Sequence, residues 1–543
     1  MHRILRNLIK YMFRNNEGGI MSKNKFLSLD EAISLIKDGS CVVSSGICMS
    51  GFPEETIAGL ERRFLESGSP KHLNWVAAAG QGCWEPDKGL QHVAHEGLLD
   101  SMTISHYGLT DKLARMVEEN KIIAYNMPFG ALIDMYRAAA QGMPGHITKV
   151  GLKTYVDPRL EGGRLNERTK EDIVKVIQIE GEDFLMYRSP KIDVAIIRGT
   201  TADQFGNISF EEESLPADMR IIAMATRACG GKVICQVKYT CERLMTDQVA
   251  IPGIFVDHVV VAEHPEVGHK QSGLEVYQPS MSGHVFVPTD SVAALKFDAK
   301  KVIARRAAME LKPNAVINLG IGMPEGIANI AAEEGIADKI VMTSESGAIA
   351  GIPMGGKNFG SVQNAWATVE IGEQFLFYDG GGLDVTFLGL AEVNPQGSVN
   401  VSRFGSAVTG CGGFINISQN TPNLIYCGTF TAGGLKEEIK DGKLNIIQEG
   451  RQKKFLHQIQ QITFSGEFAA EANQNVLYVT ERAVFKLVKD GLELIEIAPG
   501  VDLEKDILEQ MEFEPKIAGE LKVMDSVLFQ ETWGGLDEYI SNK

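Results

Sequence analysis

The second half of this chain repeats the first in order, and that repetition restricts the fold more than any single motif does. Gly51-Phe-Pro-Glu54 returns as Gly322-Met-Pro-Glu325, residues 193–209 align without a gap with residues 384–400, and Cys229-Gly-Gly231 returns as Cys411-Gly-Gly413. In the gapless pair, Asp193 and Asp384 precede apolar runs, and each is followed 13 residues later by a glycine, Gly206 and Gly397. The offsets between landmarks are 271, 191 and 182 residues, so the first copy holds about 80 extra residues between its first two landmarks. Residues 100–190 read as that elaboration.

Apolar runs suited to buried strands (Val42-Val43, residues 75–77, 194–197, 259–261, Val316-Ile317 and 340–342) alternate with helical patterns. Such alternation is the mark of an α/β protein with mainly parallel sheets. The expected architecture is therefore two duplicated open α/β domains, residues 25–280 and 295–543, with a ligand site between them. The join falls in the Pro, Ser and Gly-bearing segment 278–291, and residues 1–24 form an extension outside the globular pattern. That pattern opens with a capping box, Ser28-Leu-Asp-Glu31, then Ala32, Ile33, Leu35 and Ile36 at helical spacing and a stop at Gly39. Arg3, Arg6, Lys10 and Arg14, with no acid before Glu17, make residues 1–20 either the product of an upstream start codon or an amphipathic targeting segment.

Charge narrows the partners. With 53 basic against 70 acidic residues the chain carries a formal charge of −17, and no basic patch stands out, which argues against nucleic acid or an anionic membrane as partner. The longest uncharged stretch, residues 404–435, is broken by seven glycines and Pro422 and lacks the continuous apolar character of a membrane span. Eight cysteines without a C-x-x-C pair suit scattered thiols in a reducing cytoplasm, or an organelle matrix if residues 1–20 are a transit peptide.

Three constellations can carry chemistry. Asn318-Leu-Gly320-Ile-Gly322-Met-Pro-Glu-Gly326 runs from a strand through a glycine turn into a helix, an arrangement whose free backbone N–H groups suit a phosphate or another anion. It can equally be read as a dinucleotide loop, with Glu345 placed to bind a ribose, or as a plain tight turn. Ser344-Glu345-Ser-Gly347 delivers a carboxylate at a strand end into a loop of small residues, where an α/β sheet keeps its ligand crevice. Gly380-Gly381-Gly382-Leu-Asp384 and Gly410-Cys-Gly412-Gly413-Phe414 supply paired glycines that can aim amides at a developing oxyanion or pack closely inside the sheet. His92 and His95 have helical spacing, but no third ligand motif accompanies them, so they read as structural histidines and no metal is expected. No nucleophile elbow, Walker loop or zincin motif occurs.

Residues 318–326, 344–353, 380–384, 410–418 and the tail 478–508 together resemble the family I coenzyme A transferases, and most of all their single-chain propionate and acetate members. The resemblance implies that Glu345 is the nucleophile and that Gly412 and Gly413 form an oxyanion and thioester-contacting segment. It further implies that Asn318, Gly320 and Gly322, with Gly380, Gly381 and Gly382, contact coenzyme A. The implied reaction moves CoA between short-chain acyl-CoA esters and free carboxylates such as acetate and propionate. It is ping-pong, through a glutamyl-CoA thioester, with CoA as substrate and covalent intermediate and no permanently bound cofactor, in a homodimer or homotetramer. In this scheme the glutamate is already ionised, so no Ser-His-Asp set is needed. An acyl-CoA hydrolase using the same glutamate, a nicotinamide-dependent dehydrogenase at the Gly320 loop and a non-catalytic binding module are the alternatives. The first-half segment 44–53 keeps the terminal G-x-P but lacks the G-G-F opening of two-subunit relatives, leaving its acyl-pocket residues open.

Overall fold

A computed structural model describes residues 25–288 and 294–543. The extension and the last part of the expected join lie outside the described residues. A first sheet holds seven parallel strands, β1 (Cys41–Ser44), β2 (Leu73–Ala77), β3 (Leu99–Ile104), β4 (Ile123–Asn126), β5 (Val194–Arg198), β6 (Lys232–Val237) and β7 (His258–Val261), in the spatial order β7-β6-β5-β1-β2-β3-β4. A second, ten-stranded sheet comprises β8 (Val316–Leu319), β9 (Val341–Thr343), β10 (Ala348–Ile349), β11 (Ala367–Thr368), β12 (Val385–Gly389), β13 (Asn423–Cys427), β14 (Asn475–Val479), β15 (Ala483–Val488), β16 (Gly491–Ile497) and β17 (Lys516–Val523). Its order is β11-β10-β9-β8-β12-β13-β14-β15-β16-β17, with β9, β8, β12, β13 and β14 mutually parallel. Each apolar run noted in the sequence lies in one of these strands or at its margin, because a strand covered by helices on both faces needs no polar alternation.

The duplication is visible in the order of strands. The series β7-β6-β5-β1-β2 matches β14-β13-β12-β8-β9, and in each half the central strand is flanked by the next strand in the chain on one side and by a much later one on the other. One detail is repeated atom for atom. The Asp193 carboxylate accepts the Cys41 N–H at 2.8 Å at the start of β1, and Asp384 accepts the Val316 N–H at 2.7 Å at the start of β8. Gly206 and Gly397 both have φ +77°, a conformation open to glycine at little cost. The third sequence landmark is a false match. Cys229-Gly-Gly231 follows helix Met219–Ala228 and leads into β6, whereas Cys411-Gly-Gly413 precedes helix Phe414–Asn420. At the 191-residue offset that joins the two strand-start aspartates, the counterpart of Cys229-Gly-Gly231 is Asn420-Thr-Pro422. The C-G-G triplet in the first half merely ends a helix.

The elaboration of the first copy contributes most of β3, β4 and a small antiparallel sheet of Gly145–Thr148, Glu182–Arg188 and Val174–Ile179. It also carries Phe129, whose ring meets Phe375 of the second half edge-on, at 4.9 Å between centroids, inside an apolar cluster that spans both halves. The two sheets thus share a core at their contact. The expected first helix is present as Leu29–Ile33, with the capping box between Ser28 and Glu31 formed and Gly39 at φ +76°. His92 lies between Glu54 and Glu61, and His95 bonds Glu61 at 2.6 Å, so both imidazoles are occupied by carboxylates. Among the described residues no cluster of His, Cys, Asp and Glu could hold a metal ion, and no helix is long and apolar enough to cross a membrane.

Candidate active site

Parallel strands leave their carboxyl ends on one edge of a sheet, and the two edges here face one another. In the second half β8 and β9 pair Asn318 with Thr343, so Gly320 and Glu345, each two residues further on, sit side by side. The turn that carries Glu345 is tight: Gly347, at φ +105°, donates its N–H to the Ser344 carbonyl at 2.9 Å, and its carbonyl accepts from Val369 at 2.8 Å. From the first half, the ends of β3 and β4 hold the glycine segment opposite. Ser105 accepts the Gly412 N–H at 2.8 Å, Gly412 accepts from Phe129 at 3.0 Å, and the Asn126 side chain accepts the Cys411 N–H at 3.0 Å. The Gly410–Gly413 segment, which belongs to the second half in sequence, is therefore built against the first.

This clamp delivers the Gly413 N–H to the Glu345 carboxylate. Gly413 has φ −82°, which any residue can adopt, so its being glycine has a different cause. A Cβ there would collide with Glu345 Oε2 and stand 3.1 Å from the Phe375 ring. Gly412, at φ +52° with open space around it, is glycine for its backbone. Burial pushes the Glu345 carboxyl up to about 7, with the Gly413 amide opposing the rise. The buried thiols of Cys48 and Cys411 lie close enough to respond to its charge, and burial raises Cys411 to about 12.

Burial works against ionisation of this carboxyl, and only the ionised form can attack. The rate at which the protein reacts with an acyl-CoA ester should then fall about tenfold per pH unit below about 7 and level off above about 8. Buried Asp218 and Asp379 are also raised to about 7. Asp218→Asn and Asp379→Asn should therefore keep the acid limb if Glu345 causes it, and a flat single-turnover profile from pH 5 to 8 would contradict the assignment.

The other glycine positions divide. The Gly320 amide donates to the Phe387 carbonyl at 2.8 Å, and the Gly322 amide lies at the Glu325 carboxylate. What the loop offers is an exposed Ile321 and an open, left-handed Gly322. Asn318 is buried, its amide spent on the Thr343 carbonyl at 3.2 Å and the Tyr378 hydroxyl at 3.3 Å, so it braces the site from beneath. Gly380, Gly381 and Gly382 are not brought to the site. They connect helix Ile371–Asp379 to the start of β12, at the amino edge of the sheet, about 13 Å of helix away from the Glu345 turn. Their glycines serve a tight helix-to-strand reversal under the Phe377 ring.

The first-half wall comes from segment 44–53, whose pocket residues the sequence left open. Ile47 and Cys48 are buried and approach Gly360 at 3.6 and 3.7 Å from where its Cβ would be, and Ser50 and Ser361 share a hydrogen bond of 2.9 Å. Asn126 had no pattern to mark it.

The family model for coenzyme A transferase matches residues 26–262. A caffeate CoA-transferase of Acetobacterium woodii is 45% identical over 520 residues, covering 94% of this chain and 99% of the relative. The acetate CoA-transferase YdiF of Escherichia coli (strain K12) is 43% identical over 509 residues, covering 93% and 94%. The crystal structure of acyl-CoA transferase YdiF from Escherichia coli O157:H7 superposes with a TM-score of 0.89 at 41% identity, covering 94% of this chain and 97% of that one. A YdiF thioester complex with CoA gives 0.88.

Proposed function

The chain belongs to the coenzyme A transferase family, and we propose that it moves CoA between an acyl-CoA ester and a free carboxylate by way of a covalent thioester on Glu345. The observation that carries this reading is the placement of one carboxylate at the carboxyl edge of a sheet, against the Gly413 amide, in a cleft closed by the other half of the duplication. Membership of this family sets aside the nicotinamide alternative at the Gly320 loop.

In the proposed sequence the Glu345 carboxylate attacks the thioester carbonyl, the C–S bond breaks, and CoA leaves as a thiolate, giving a mixed anhydride. The thiolate then attacks the glutamyl carbonyl; the bond from the glutamyl carbon to the bridging oxygen breaks, the first carboxylate departs with that oxygen, and glutamyl-CoA remains. A second carboxylate runs the steps in reverse and departs as the new acyl-CoA. The Gly413 N–H, beside the Glu345 carboxylate, donates to the oxygen on which charge develops when the thiolate attacks the glutamyl carbonyl, and Gly412 supports its approach. Both halves exclude the water that would hydrolyse the intermediates.

For the acid, two relatives of similar identity are named for caffeate and for acetate. We favour short-chain acids because the first-half residues nearest Glu345 include the buried side chains of Ile47 and Cys48. The test is a steady-state product assay with acetyl-CoA and propionate. Propionyl-CoA should form with parallel double-reciprocal lines, as a double displacement requires, and caffeate should be the poorer acceptor. Intersecting lines would count against the covalent route, and free CoA accumulating equally with and without propionate would mark a hydrolase.

A further inference from the structure

Three helices from the two halves meet at one buried amide side chain, Asn416. Gly413 occupies the N-cap of helix Phe414–Asn420, and its carbonyl accepts the Ile417 N–H at 3.0 Å, so Gly413 and the first turn of that helix form one piece. On that turn the Asn416 carboxamide oxygen accepts the Gly130 N–H at 3.1 Å, from the start of helix Phe129–Ala140 in the first half. Its Nδ2 donates to both oxygens of Asp379, at 3.1 and 3.0 Å, and Asp379 closes helix Ile371–Asp379, one turn after Phe375. A backbone N–H can only donate, so the oxygen of Asn416 must face Gly130 and its NH2 must face Asp379. The fit is close: a Cβ on Gly130 would stand 2.5 Å from Asn416 Nδ2 and 2.9 Å from the Phe375 ring. The same ring lies 3.1 Å from where a Gly413 Cβ would be.

Backbone bonds from Ser105 and Phe129 hold Gly412 on one side of the Gly413 amide. Asn416 ties down the other side, because it joins the helix that begins at Gly413 to the first half and to the helix carrying Phe375 at once. We propose that Asn416 is a positioning residue for CoA transfer: by bridging Gly130 and Asp379 it sets where the Gly413 N–H meets the oxygen on which charge develops at Glu345. Misplacing such a donor by about 1 Å is enough to cost about 10²-fold in rate. This inference rests on the Glu345 reading given above.

The test exchanges the two side chains of the bridge at pH 8, above the value of about 7 to which burial raises Asp379. In Asn416→Asp the new carboxylate can still accept from Gly130 but meets Asp379 as a like charge with no donor between them. With acetyl-CoA and propionate, kcat should fall about 10²-fold while both KM values stay within about threefold. In the double variant Asn416→Asp with Asp379→Asn, donor and acceptor have changed places and the bridge re-forms, so kcat should return to within about fivefold of wild type. A loss smaller than about tenfold in Asn416→Asp, KM values that rise along with the loss, or a double variant that regains the wild-type Tm without regaining kcat would show Asn416 to be packing and overturn the inference. If Asn416→Asp does not fold, Gly130→Ala strains the same bridge from the first half and should lower kcat at least about tenfold at unchanged KM; a wild-type kcat there would overturn the inference equally. Wild-type protein mixed with acetyl-CoA and weighed intact separates the two levels: absence of a CoA adduct removes the Glu345 reading and this inference with it, whereas an adduct together with a double variant that stays slow removes the inference alone.

Discussion

Glu345→Gln should lower CoA transfer by roughly four orders of magnitude or more while leaving acyl-CoA affinity within a few-fold, because an amide of the same size cannot form the anhydride and the whole covalent route is lost. The same variant carries a stability signature with a defined sign. Burial raises the Glu345 carboxyl to about 7 from an ordinary value near 4.5, so between those values the folded protein binds more protons than the unfolded chain, and wild-type stability declines as pH rises through that window. Glutamine has no such dependence. The variant should therefore gain in Tm relative to wild type on going from pH 4.5 to pH 8, most steeply below 7. A parallel pH dependence of Tm in the two proteins would contradict the burial of an ionisable group there, and retained turnover would remove Glu345 from the mechanism.

Gly413→Ala should be the second largest loss, about 10²- to 10³-fold in kcat/KM. Its φ of −82° accepts alanine, so the cost is local: the methyl group takes the space of Glu345 Oε2 and presses on the Phe375 ring. Gly412→Ala should show the opposite balance. There the space is open but φ is +52°, so the change should cost about 1 kcal/mol of stability with a smaller effect on rate. If the two substitutions damage activity equally, the Gly413 amide is not the reacting contact.

What could be read from the sequence was what repeats or what is locally encoded. Apolar strands, the Ser28 capping box and the paired strand-start aspartates depend on near neighbours or on a single long-range register, and the structure has all of them. Glu345 was legible because a strand end followed by small residues is a local pattern. Gly380, Gly381 and Gly382 were misplaced by the same kind of reasoning, since a glycine run marks a close backbone approach without saying at which edge of the sheet it lies. The false C-G-G match arose because a three-residue string ignores whether a helix precedes or follows it. Asn126 was invisible for a different reason. It is a lone amide at the end of β4 that bonds Cys411 across 285 residues of chain. It leaves no periodic trace, because the demand for a polar atom comes from the opposite half.

In the proposed cycle one carboxylate, Glu345, carries CoA between substrates. That role is tested most directly by mixing the protein with acetyl-CoA in the absence of any acceptor, recording the intact mass and mapping the adduct by peptide digestion. A mass gain equal to CoA less one water is expected, located at Glu345, absent from Glu345→Gln and discharged by added acetate. A CoA-bearing peptide that excludes residue 345, or no adduct in a preparation that turns over, would contradict it.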